Sequence, residues 1–67
     1  MNDLDKLRIL LQHWIEHNEE HAEEFRRWAD KAGDAAADVL AASERMGFVN
    51  QALATALDKL NRTQNRD

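Results

Sequence analysis

Residues 25–40 read FRRWADKAGDAAADVL, and this stretch decides the fold. Gly33 takes the left-handed conformation without a steric penalty, so it ends the helix that runs up to it, and Lys31 suits that helix's negative end. Asp34 follows at once as a residue of the N-cap type. One helix stops and another starts within a few residues, which makes the two antiparallel neighbours. On the N-terminal side a 3-4 spacing runs through Leu4, Leu7, Leu11, Trp14, Asn18, His21, Phe25, Trp28 and Ala32. Asn2 and Asp3 are the N-cap candidates, and Asp5 adds favourable charge in the first turn. On the C-terminal side the same spacing runs through Ala35, Val39, Ala42, Met46, Val49, Leu53, Ala56 and Leu60, widened by Leu40 and Leu57. Stripes of this kind belong to helices packed on helices. The expected fold is all-α, an antiparallel two-helix hairpin with helices over about 3–32 and 35–62. Residues 1–67 form a single domain, with residues 62–67 expected as a frayed tail because no apolar residue anchors them.

Composition supports this reading and excludes others. The chain of 67 residues has no cysteine or proline, two glycines, two Phe and no Tyr. Disulfide frameworks and cysteine-based zinc folds are therefore impossible, and the residues that punctuate hairpins of strands are missing. A net charge of −4, from 13 acids and nine dispersed bases, argues against a nucleic-acid or anionic-membrane partner. No apolar run approaches the ~20 residues that span a bilayer. The acidic start, Met-Asn-Asp-Leu-Asp, is unlike the basic start of a signal peptide, so the expected location is cytoplasmic.

A hairpin of this size buries one stripe per helix and gains only a few kcal/mol from its core. Ile9, Leu10, Ile15, Leu40 and Leu57 would stay partly wet. The simplest remedy is a homodimer forming a four-helix bundle.

The first helix interrupts its own apolar stripe with Asn18 and His21, and an unpaired polar layer costs stability. His13, His17 and His21 follow at i, i+4, i+8 and form one ridge. Pairing about the turn puts residue i opposite roughly residue 67 − i, which sets this layer against Met46, Gly47, Val49 and Asn50. Gly47 lies inside a helix, where glycine costs ~1 kcal/mol relative to alanine. With Ser43 and Ala54 it would form a groove with room for an imidazole, a partner helix or an ion. Two functions follow from this layer. Neutral imidazoles at i, i+4 suit a divalent Ni, Co or Zn ion, so His17 and His21 are the expected ligands, helped by His13, Glu20 or Glu24. Metal storage, delivery or sensing would be the role, with a metal-trafficking protein as a further partner. Alternatively the layer only fixes register and oligomeric state in a protein-interaction module, with Asn18 bonded to Asn50 and His21 bonded to a carbonyl or a Glu.

An enzyme is not expected. His13-Trp-Ile-Glu-His17 and His17-Asn-Glu-Glu-His21 match the His-x-x-Glu-His pattern of inverted zinc peptidases, but a hairpin offers neither the distant third ligand nor a cleft. The Glu-x-x-His pattern of di-iron bundles is absent, since Leu10, Trp14 and Asn18 precede the three histidines by three. Trp14, Phe25 and Trp28 are read as core.

The stretch 7–32, LRILLQHWIEHNEEHAEEFRRWADKA, resembles a small helical-hairpin domain of archaea and anaerobic bacteria. Its hallmark is His-Trp-x-Glu-His-Asn-x-Glu-His followed by an aromatic and a Trp. The second helix is similar too, with Asn50, Leu53, Ala56 and Leu57 in Asn-x-x-Leu-x-x-Ala-Leu spacing, so the likeness covers nearly the whole chain. That domain is associated with CooT-type nickel-binding accessory proteins of carbon monoxide dehydrogenase. The resemblance implies that Asn18 and the histidines are the functional core, and it favours metal. The small β-domain that carries the nickel-binding cysteine in those accessory proteins is absent here, so their chemistry does not carry over.

Overall fold

A computed structural model describes residues 2–64, and they form a helical hairpin. Helix α1 spans Asp3–Ala29 and helix α2 spans Ala36–Gln64, with a single 3-10 turn at Gly33–Ala35 leading into α2. The expected all-α hairpin is therefore the fold. Asn2 is the N-cap: its backbone is extended, and its Oδ1 accepts the amide of Asp5 at 2.8 Å. This satisfies one of the orphan donors of the first turn, while Asp3 and Asp5 complement the dipole.

The connection is longer than the spacing predicts. α1 ends at Ala29 rather than Ala32, because Lys31 and Ala32 donate to Trp28 and Ala29 at 2.9 and 3.2 Å, the i→i−3 pattern that closes a helix. Gly33 follows with φ +57, the left-handed geometry that requires glycine. Asp34 is not an N-cap: it lies inside the 3-10 turn, and no side chain caps that turn. At the far end α2 continues to Gln64, so residues 62–64, expected to fray, are helical. The rest of that tail, 65–67, lies outside the described residues.

The stripe that meets the other helix is rotated from the expected one. Leu11, Asn18 and Phe25 hold their inward places, but Ile15, Ala22 and Ala29 point inward instead of Trp14, His21 and Trp28. On α2, Val39, Met46, Leu53 and Leu60 hold, Ala36, Ser43 and Asn50 replace Ala35, Ala42 and Val49, and Leu57 is half-buried beside Ala56. Among the described residues only Leu11, Ala29 and Ser43 are buried. Trp14 and Trp28, expected in the core, are 40% and 63% exposed. The cause is polar satisfaction together with size. Small side chains let the helices approach closely, and the amides and hydroxyl of the interior find partners only when they face each other. Burying the tryptophans between the helices would push those partners apart.

The register matches the turn. Ser43 Oγ donates to the Ala22 carbonyl at 2.9 Å, Asn18 pairs with Asn50, and Arg8 Nη2 donates to the Leu60 carbonyl at 3.2 Å. The molecule is consequently a slab one helix thick, 54 × 17 × 13 Å.

Candidate functional site

At mid-height the interior carries a closed polar network. Asn18 Nδ2 donates to Asn50 Oδ1 at 3.0 Å, and Asn50 Nδ2 donates across to the Ile15 carbonyl at 3.0 Å. Both asparagines are half-buried. Each amide thus has a partner inside the hairpin, and the pair fixes which turn of α1 faces which turn of α2.

The histidines lie outside this network, on one edge and one broad side of the slab. Their rings form a continuous run: His13 meets His17 edge-on at 5.6 Å, and His17 stacks on His21 at 4.7 Å with planes 16° apart. His21 in turn lies 6.2 Å from the Phe25 ring. His21 Nδ1 donates to Glu24 Oε1 at 2.9 Å. A carboxylate that accepts from Nδ1 orients the ring and leaves Nε2 as the free lone pair. His13, His17 and Glu20 gather with Glu16 around a shallow groove of about 150 Å³ along α1. Glu16 was not among the expected residues; its place at i+3 from His13 and i−1 from His17 was the available signal.

These groups have the donor chemistry for a divalent transition metal, but their geometry in one hairpin is not convergent. Imidazole lone pairs lie in the ring planes, so stacked parallel rings do not aim at a common point. Among the described residues no three His, Asp or Glu side chains are grouped to hold an ion. Glu24 is engaged with His21, so it serves better as an orienting group than as a ligand.

Gly47 does not make room for the histidines. It faces the opposite broad side, in a groove of about 300 Å³ lined by Glu19, Ala22, Glu23, Arg26, Ser43 and Asn50. A Cβ placed there would meet nothing within 4 Å. The histidine layer and the glycine share a height but not a face. Sequence reasoning also missed Arg8. It occupies an inward position, pairs with Asp5 at 2.6 Å, and reaches the last turns of α2 through the Leu60 carbonyl. A cation there suits the negative end of the α2 dipole.

Fold and polar layer together define a register-locked helical hairpin. Among proteins of that class, the chain belongs to a family described as a domain of unknown function, DUF8180, whose pattern matches residues 7–60. Neither the curated proteins nor the solved structures contain a match.

Proposed function

We propose that this chain is a non-enzymatic protein-interaction module that works as a homodimer, with two hairpins forming a four-helix bundle. The observation that carries this reading is the placement of bulk. The interior closes on Ala22, Ala29, Ser43 and two asparagines, while Leu10, Trp14 and Trp28 are left exposed. Ile9, Leu40, Phe48 and Val49 are exposed as well, and this much uncovered apolar surface on so small a chain marks an interaction surface. No helix among the described residues is long and apolar enough to cross a membrane. The acidic, cysteine-free chain fits the cytoplasm. Sedimentation equilibrium at micromolar concentration tests the reading: twice the 7.7 kDa chain mass is expected, and a monomer of unchanged helicity overturns it.

A second reading is favoured by the His21–Glu24 pair. A carboxylate-oriented imidazole, with His17 stacked beside it and His13 and Glu20 near, is the arrangement from which a Ni, Co or Zn site is assembled when side chains rotate or a second copy adds donors. The role would be metal storage, delivery or sensing with a trafficking partner, in line with the resemblance to domains associated with nickel accessory proteins. Calorimetry with Ni²⁺, Co²⁺ and Zn²⁺ at about pH 8 tests it. Binding weaker than ~100 µM ends the metal reading. Heat that survives replacement of His17 and His21 by alanine moves the site elsewhere.

A further inference from the structure

The two broad sides of the slab differ. One holds the Gly47 groove and its charged rim of Glu19, Glu23 and Arg26. At about 100° per residue, the other side takes Leu10, Trp14, His21 and Trp28 from α1 and Ala35, Ala42, Val49 and Ala56 from α2. Both tryptophans lie on that side, with the larger residues along α1 and the smaller ones along α2, while exposed Leu40 falls on the Gly47 side and Ile9 and Phe48 on the outer edges. The chain exposes 5325 Å². That is about 1,000 Å² more than the ~4,300 Å² of a compact monomer of its mass. A stable interface needs ~800 Å² per partner, which falls within that excess.

We infer that a second copy of this chain docks on the side bearing Trp14, His21 and Trp28, with its α2 laid antiparallel along α1 under a two-fold axis parallel to the hairpin. This rests on the homodimer reading and fixes its geometry. Such an axis preserves height, so the register of the single hairpin carries across. Trp14 then falls between Val49 and Ala56 of the partner subunit, His21 between Ala42 and Val49 of the partner subunit, and Trp28 between Ala35 and Ala42 of the partner subunit. Each large residue meets a gap between small ones, the knob-and-hole condition. Laying α1 on α1 would instead set tryptophan rows against each other and leave the alanine rows apart. Charge agrees along the rim: Glu24 falls within about one helical turn of Arg45 of the partner subunit, and Lys31 within about one turn of Asp38 of the partner subunit. The arrangement holds the two histidine ridges on diagonal helices and keeps the Gly47 grooves on the outside.

The chain has no cysteine, so introduced thiols report neighbours without background. Leu10→Cys and Ala56→Cys chains, co-refolded and oxidised, are expected to give a disulfide-linked dimer, and neither variant is expected to link to itself. Glu24→Cys with Arg45→Cys, joined by a short bismaleimide, is a second pair that leaves the apolar side intact. Sedimentation of the reduced samples reads association separately. A dimer by mass that links neither mixed pair, or in which a single variant links to itself, overturns this arrangement and leaves the homodimer standing. A monomer of the unmodified chain overturns both.

Discussion

Asn18 donates to Asn50 at 3.0 Å across the middle of the hairpin, and Asn50 in turn donates from Nδ2 to the Ile15 carbonyl. The two amides share a bond, so they are not worth the same alone as together. Asn50→Leu leaves the Asn18 amide without its partner in a half-buried place, and a loss of about 1–2 kcal/mol is expected. Replacing both by leucine removes the unpaired group and should recover most of that loss, while helix register becomes less defined. Urea unfolding of the two single variants and the double variant measures the coupling, expected near 1 kcal/mol. Strict additivity would show that the bond contributes nothing.

Gly47 sits in the body of α2, and a Cβ there would meet open space. Gly47→Ala is therefore expected to stabilise by about 0.5–1 kcal/mol, from helix propensity alone. In a domain of this size that raises Tm by roughly 4 °C or more. Thermal melting by circular dichroism gives the answer. A fall in Tm would mean that something seats on the groove and needs the missing methyl's space.

Arg8 ties the start of α1 to the end of α2. Its guanidinium reaches Asp5 and the Leu60 carbonyl, and the side chain is largely covered. Arg8→Ala is expected to cost about 1 kcal/mol and to act locally. Amide hydrogen exchange should quicken in the last two turns of α2 while the amides around Asn50 keep their protection. Uniform quickening along both helices would argue against a local tie.

Gly33 holds the turn with φ +57. Gly33→Ala puts an L residue in the left-handed region and should destabilise by about 1–2 kcal/mol. A chain of 67 residues is within reach of chemical synthesis, and D-alanine at the same place fits this φ. The D-alanine chain should melt at or above the glycine chain, and the L-alanine chain below it. Equal melting of the two alanine forms would mean that the turn does not depend on this backbone conformation.

The hairpin, its turn and its approximate register were legible in the sequence because each rests on local chemistry. The 3-4 stripes, Asn2 as a cap and Gly33 as a left-handed stop are properties of short segments. The polar layer was legible as well: Asn18 and Asn50 were matched in height by counting from the turn. The face was not. Counting the largest residues as inward put Trp14, His21 and Trp28 against α2, whereas the helices meet through Ile15, Ala22, Ala29 and Ser43. For the same reason Gly47 looked opposite the histidines when it opens on the other side.

The sequence by itself thus determined that there would be two helices, where the chain would reverse and which residues would share a level. Those follow from backbone preference and rise per residue. Only the tertiary structure decided which flank of each stripe turned inward. Two flanks one residue apart carry similar apolar content, and the choice between them was made by the donors and acceptors that had to meet across the gap. Small side chains and paired amides therefore took the interior, and the tryptophans and histidines were left together on the outside.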